Sequence, residues 1–277
     1  VLAWMAEYHI PAYDERRHAG LVRHIYVRRA QSGAALCCVV LNAEKTPFAE
    51  ALVRAVRAAA PETVGVVASY NTARGNVVLG AREEVLWGEG ALRDVLCGLE
   101  FSLAPRAFYQ VNHDQAERLY AKAVELAALD AEQTALDLYC GAGTITLCLA
   151  RRAGKVYGVE LVDAAVLNAR ENAARNGIAN AEFFCADAGQ AAQRFADEGM
   201  TPDVIVVDPP RKGISADGLA AMVRMAPQRI VYVSCDPATL ARDAKVLCEA
   251  GYALRAAEAF DLFPRCAHVE TVCLLTR

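Results

Sequence analysis

The sequence predicts an α/β protein built on a doubly wound, largely parallel sheet with a smaller N-terminal α+β domain, and three observations lead there. First, from residue 112 onward apolar strands alternate with amphipathic helices: NHDQAERLYAKAVELAAL, TALDLY, TITLCLARR, KVYGVEL, AAVLNARENAARNG, AEFFCAD, DVIVVDPP, a helix near 216–225, RIVYVSCD and PATLARDAKVLCEAGY. That alternation is the pattern of a parallel sheet covered on both faces. Second, residues 1–103 have a different rhythm, with short β-branched runs (LVRHIYVRR, ALCCVVL, TVGVVASYN, NVVLG, LRDVLCGLEFSL) and a helical stretch near 47–60. Third, the final runs ALRAAEAF and HVETVCLLTR have no helix between them, so they are expected to close the sheet as an antiparallel, hairpin-like edge.

The boundary between the two parts is expected near 101–111, giving domains at 1–103 and 104–277. In the first, NTARGN at 71–76 reads as a hairpin connection, and the whole reads as a mainly antiparallel sheet with one helix packed on it.

Composition narrows the class. Of 277 residues, 55% are hydrophobic and 22% charged, ample for a packed core. No apolar run approaches the roughly 20 residues of a membrane span, and the start VLAWMAEYHI lacks the marks of a signal peptide, so a cytoplasmic address and no membrane association are expected. The ten cysteines lie mostly in apolar runs and none shows CxxC spacing, which predicts reduced core thiols and no metal site, neither zinc nor iron–sulfur. The net charge of −4 does not announce a nucleic-acid binder: residues 1–103 hold 11 basic and 11 acidic residues, and 104–277 hold the remaining 18 and 22. One stretch is basic, residues 16–29 with Arg16, Arg17, Arg23, Arg28 and Arg29, and it reads equally as RNA contact or as a solvated face.

The segment LDLYCGAGT at 136–144 leaves a strand, turns through Gly141 and Gly143 and enters a helix, so a ligand can approach the backbone closely. Glu160 ends the next strand, 19 residues after Gly141, where a carboxylate can take both hydroxyls of a ribose. Asp187, at the end of the third strand, is placed to receive an adenine amino group. Thr146 stands where a dinucleotide site wants a small residue, and Asp137 makes the loop acidic, which suits a cationic sulfonium better than a pyrophosphate. As plain structure the three positions would be a turn glycine, a surface acid and a helix cap.

Two further strand ends carry reactive groups: Asp208 in DPPRKG and Cys235 in VSCDP. Paired prolines stiffen the backbone after Asp208, and Arg211 stands where an amino-group methyltransferase would place a stacking aromatic ring. A helix starting after Cys235 is expected to lower its pKa and expose a thiolate. A thiolate beside a methyl donor suits methylation of uracil at C5, because C5 is a poor nucleophile until sulfur adds to C6. The C5 proton then needs a base, for which Glu270 is the candidate and His268, two residues away on one strand face, a competitor.

Together FYQVN (108–112), LDLYCGAGT, VDPPRKG, SCDPATLARD (234–243) and HVE (268–270) resemble the RNA uracil-5-methyltransferase family, and YDERRHAGLVRHIYVRR is similar to that family's central domain. The resemblance implies a class I, Rossmann-like methyltransferase fold, S-adenosyl-L-methionine as cofactor, RNA as partner with no protein partner, and 23S ribosomal RNA ahead of transfer RNA as substrate. It also implies Cys235 as nucleophile and Glu270 as base, with Gln110, Tyr139, Gly141, Thr144, Glu160, Asp187 and Asp208 holding the cofactor. Gln110 and Asp208 could equally face the uracil edge, and Phe108 could stack on a flipped base. Family members carry an RNA-binding barrel, and some a four-cysteine iron–sulfur site, ahead of this region; a start at Val1 leads to the expectation of a trimmed piece or a reduced form. The approach to HVE departs from the family in reading PRCA at 264–267. Two rivals stand beside this reading: a non-catalytic RNA-binding remnant, and a nicotinamide-dependent oxidoreductase on a similar sheet.

Overall fold

The computed structural model describes all 277 residues. Contacts divide the chain into two compact units, one of residues 1–95 and 102–107, the other of residues 96–101 and 108–277. The division is interleaved where the sequence suggests a single cut at 103/104, because it runs through a two-stranded hairpin, β5 (Leu92–Leu96) and β6 (Leu99–Leu103).

The first unit holds a four-stranded sheet in the order β1 (Val22–Arg29), β2 (Ala35–Leu41), β3 (Thr63–Tyr70), β4 (Arg82–Gly88). Two of its three pairings are antiparallel, as the sequence suggests, but helix α2 (Ala49–Ala59) joins β2 to β3, and such a crossover makes that pair parallel. β2 is buried along its whole length, as the run ALCCVVL demands. The N-terminal residues form a short helix α1 (Leu2–Glu7) that the sequence did not signal, and it places Trp4, fully buried, among Leu41, Leu52, Val66 and Tyr70. NVVLG is not a strand, and the turn at NTARGN does not connect β3 directly to a following strand; β4 begins only at Arg82. The Asn71 amide donates to the carbonyls of Val77 and Val78 while Gly80 N donates to Ser69 Oγ, so those backbone groups are taken by side chains before a ladder can form.

The second unit is a seven-stranded sheet in the order β12 (Ala253–Phe260), β13 (Glu270–Thr276), β11 (Arg229–Ser234), β10 (Val204–Val207), β7 (Thr134–Leu138), β8 (Lys155–Glu160), β9 (Ala181–Cys185). β11, β10, β7, β8 and β9 run parallel, and β13 enters antiparallel between β11 and β12. The strand order reverses direction at the β7–β10 pair, where open α/β sheets keep their ligands. On one face α6 (Ala188–Asp197), α7 (Ala216–Met225) and α8 (Pro237–Glu249) bury Phe195, Leu219, Met222 and Leu247 against Leu136, Leu138, Ile205 and Tyr232. The other is covered by α3 (His113–Ala127), α4 (Thr144–Ala150) and α5 (Asp163–Arg175). No helix is long and apolar enough to cross a membrane.

Candidate active site

The glycine loop follows β7 and is built by a backbone kink at Tyr139, whose φ of 78° is left-handed. A non-glycine residue there costs about 1–2 kcal/mol, and two hydrogen bonds hold it, from Tyr139 N and Cys140 N to the single carbonyl of Val159, both 2.9 Å. The two glycines have different tasks. A Cβ on Gly141, at φ 56°, would meet no atom within 4 Å, so this position borders open space. On Gly143 a Cβ would press on Ala169 Cβ at 3.2 Å and Phe183 at 3.3 Å, so this glycine serves the packing of α4 against its neighbours.

Glu160 holds the loop directly: Oε2 accepts from Gly141 N at 3.1 Å and Oε1 from Val162 N at 2.8 Å. Asp187 is exposed and caps α6, its Oδ1 accepting from Gly189 N and Gln190 N at 3.0 and 3.1 Å. The helix-cap reading of Asp187 therefore holds for one oxygen. Asp137 is not at the loop's entrance but fully buried beneath it. Thr146 Oγ1 donates to its Oδ2 at 2.6 Å, while Oδ1 is buried with no partner. Burial pushes this carboxyl up to about 7, against the pull of the Thr146 hydrogen bonds, and the charge of Glu160 adds to the rise. An orphaned carboxylate oxygen, an acid at the next strand end and an open glycine fit a ligand with hydroxyls and a positive charge, and oppose a pyrophosphate.

Below the loop, Tyr120 of α3 is buried and its hydroxyl is bonded to the Thr144 side chain. Asn172 of α5, also fully buried, donates to Ala142 O at 3.1 Å. Sequence reasoning missed both supports; the available signal was a polar residue on the inward face of an amphipathic helix. Gln110 is buried, whereas Phe108 and Val111 in the same segment are 73% and 83% exposed.

The reactive end lies one strand further. β11 and β13 pair with Ser234 opposite Thr271, so the next residues along, Cys235 and Glu270, leave the ladder at the same end. Asp208 follows β10, the neighbour of β11. The three sense one another: Asp208 is densely surrounded although it keeps some solvent contact, and burial, then the charge of Glu270, push it up to about 7. Burial likewise raises Glu270, with Arg211 opposing. The Cys235 thiol is raised, not lowered, by burial first and then by Glu270 and Asp208; Arg211 pulls the other way. The expected benefit of the helix start is absent because Asp236 Oδ1 already takes the N–H groups of Ala238 and Thr239 at 2.9 and 3.1 Å. A carboxylate, not the thiol, occupies the positive end of α8.

His268 does not share a strand face with Glu270, since β13 begins at Glu270 and His268 lies exposed in the loop before it. Its ring lies 3.2 Å from Arg211 Nη2 through Nε2. Arg211, noted in the sequence for the aromatic ring it replaces, is thus the cation of this end of the site. Asp243 of the SCDPATLARD motif is structural: fully buried, it accepts from Ile214 N at 2.8 Å and Tyr232 Oη at 2.7 Å and pairs with Arg242.

Comparison with known proteins finds relatives along nearly the whole chain. An RNA methyltransferase of Lactiplantibacillus plantarum, itself uncharacterized by name, is 43% identical over 275 residues, 99% of this chain and 60% of the relative. One from Clostridium tetani is 42% identical over 274 residues with the same coverage. The chain thus spans about 60% of the length of these curated relatives. Among solved structures, the Pyrococcus abyssi tRNA (uracil-54, C5)-methyltransferase in complex with S-adenosyl-L-homocysteine superimposes with a TM-score of 0.83 at 29% identity, covering 98% of this chain and 64% of that one. A putative methyltransferase of Streptococcus mutans, with a TM-score of 0.56 at 14% identity, shares the fold. The family model for tRNA (uracil-5-)-methyltransferases matches residues 98–277, and the chain belongs to that family.

Proposed function

We propose that this chain methylates C5 of uridine in RNA with S-adenosyl-L-methionine as donor, through a covalent bond from Cys235 to uracil C6. The observation that carries the reading is the convergence of Cys235, Glu270 and Asp208 at adjoining strand ends of the sheet that also bears the glycine loop.

The cofactor, when bound, supplies an electrophilic methyl group. Glu160 would hold its ribose, and Asp187, through the oxygen not used in capping, its adenine amino group. Tyr139, Gly141 and Thr144 line the loop, and Asp137 beneath it supplies negative charge. Gln110 and Asp208 divide between cofactor and uracil. Phe108 offers its exposed ring to the unstacked base.

Cys235 must first lose its proton, which its raised pKa makes costly in the free protein. Arg211 offsets that cost by favouring the thiolate. The sulfur then adds to C6 and the electron pair moves to C5, which becomes the nucleophile. After C5 is alkylated, Glu270 takes the C5 proton and the C6–S bond breaks, returning the thiol pair of electrons to Cys235. A base with a raised pKa accepts that proton more readily than an ordinary carboxylate. Such an enzyme acts in the cytoplasm, on transfer RNA or 23S ribosomal RNA.

The test is incubation of the chain with 5-fluorouridine-substituted transfer RNA or 23S ribosomal RNA and the cofactor, followed by a denaturing gel. Fluorine does not leave as a proton does, so the adduct should persist as a shifted band that requires both cofactor and Cys235. The RNA that gives the band identifies the substrate. Methylation of ordinary uridine by the Cys235→Ala variant would overturn the covalent route.

A further inference from the structure

Away from the strand ends, the second unit contains a second pair of reactive groups. The turn between β5 and β6 is Cys97-Gly98, both left-handed at φ 53° and 72°. The turn is fastened to the helices below: Glu117 Oε1 of α3 accepts from Cys97 N at 2.7 Å, and Arg151, just past α4, donates from Nη1 to Cys97 O at 2.9 Å. Cys148 lies on α4 one turn before Arg151 and bonds to the Cys97 thiol. Both cysteines line one cavity of about 580 Å³, together with Tyr120, Val124 and Arg152.

The environment divides the roles of the two sulfurs. The S–H of Cys148 holds Cys97 below the usual thiol range, Arg151 and His113 add to this, and burial and Glu117 oppose it. Cys148 is raised, first by that same hydrogen bond and then by burial. A thiol of lowered pKa at a cavity, with a second thiol in contact, is the arrangement in which the first sulfur is oxidised and the second resolves it.

We propose that Cys97 and Cys148 form a redox clasp, closing to a disulfide when hydrogen peroxide enters the cavity between the β5–β6 turn, α3 and α4. The Cys97 sulfur attacks one peroxide oxygen, the O–O bond breaks, and the leaving hydroxide takes the proton of the Cys97 thiol, so that one water leaves as a sulfenic acid forms. Cys148 sulfur then displaces the hydroxyl, forming the S–S bond and releasing a second water, so two thiols are oxidised by two electrons and one peroxide is reduced. The closed clasp ties α4 to the turn; α4 begins at Thr144, so the bond restrains the helix that ends the glycine loop. The inference stands on the thiol pair and does not depend on the methylation chemistry.

The experiment treats the full chain with hydrogen peroxide, alkylates the remaining thiols, and analyses an unreduced digest by mass spectrometry. The expected result is a linked pair of peptides, one containing Cys97 and one Cys148, lighter by two hydrogens than their sum and separated by dithiothreitol. In the Cys148→Ser variant, dimedone should label Cys97 as a sulfenic acid, and oxidised parent protein should unfold at a higher temperature than oxidised Cys148→Ser. Recovery of both cysteines alkylated while the exposed Cys185 and Cys266 are oxidised would overturn the proposal, as would a peroxide-driven link from Cys97 to any other cysteine.

Discussion

The two sheets of this chain treat charge in opposite ways. In the four-stranded sheet, arginines that look like a basic surface in the sequence are spent on structure. Arg23 donates to the carbonyls of Asn71 and Ala73 at 2.8 and 2.6 Å and Arg28 to those of Pro105 and Ala107, and outside that basic stretch Arg57 and Arg82 stack on Trp87 and Tyr70 at 4.2 and 3.9 Å. In the seven-stranded sheet, acids are buried without full compensation: Asp137 has an oxygen with no partner, and Asp208 is raised by burial and by the charge of Glu270. A buried polar group left short of partners is expensive, so its retention points to a ligand or a reaction. The contrast teaches that the number of charges in a segment says little about function; what matters is whether the fold has already consumed them.

The comparison breaks most sharply at the reactive end. Cys235→Ala should reduce turnover by roughly 10⁴-fold or more, because the addition to C6 has no substitute nucleophile, while cofactor affinity stays near that of the parent. Glu270→Gln should allow alkylation but slow product release by about 10²–10⁴-fold, trapping protein on RNA. Turnover assays and denaturing gels read the two effects separately. If the Gln variant turns over at the parent rate, the C5 proton leaves by another route and His268 returns as the candidate.

Beneath the glycine loop the expected effect is smaller and has two signs. Asp137 has an ordinary carboxyl value of 3.8 when unfolded and about 7 when folded, so the folded state binds the extra proton between those values. Stability is therefore fullest below pH ~4, falls as pH rises towards ~7, and is flat above, a slope worth at most ~4 kcal/mol. Asp137→Asn removes the slope but leaves an amide N–H₂ short of a partner, costing about 1–3 kcal/mol. The variant should be more stable than the parent by about 2 kcal/mol above neutrality and no more stable near pH ~4, while losing cofactor affinity. Urea unfolding across the pH range and calorimetric titration with the cofactor measure the two changes; a parallel loss of both would mean that Asp137 is an ordinary structural acid.

Much of this was legible in the sequence because strand and helix periods differ and the parallel strands are buried on both faces. Apart from α6 (Ala188–Asp197), which the alternation of strands and helices did not mark, the order of elements from residue 134 to 276 and the antiparallel edge follow from hydrophobic pattern, and the glycine loop from its two glycines. Properties that depend on geometry across the sheet were less legible. Whether Asp137 is at the loop's mouth or beneath it depends on which face of β7 it takes and on Thr146 reaching back to it. The direction of the Cys235 shift depends on Glu270, 35 residues later, and on Asp236 occupying the helix start. The parallel pairing of β2 with β3 was hidden because alternation within a strand says nothing about its partner's direction. The irregular course of NVVLG was hidden for a related reason: its β-branched residues satisfy strand propensity, but Asn71 and Ser69 compete for the backbone.

The smallest effects test the four-stranded sheet's side of the comparison. Arg23→Ala removes two charge-assisted hydrogen bonds to carbonyls in the turn after β3 and should destabilise the protein by about 1–2 kcal/mol, because the site is only half-buried and water can replace part of what is lost. Arg29→Ala, exposed on the same strand, should leave stability within about 0.5 kcal/mol of the parent. On RNA the order should reverse. If the basic stretch meets phosphate, Arg29 is free to do so and Arg23 is not, so Arg29→Ala should weaken binding and lower the dependence of log K on log salt by about 1. Unfolding curves for both variants beside filter-binding at several salt concentrations make the test. An unchanged salt dependence in Arg29→Ala would assign β1 to a solvated face, with its arginines serving only the sheet they belong to.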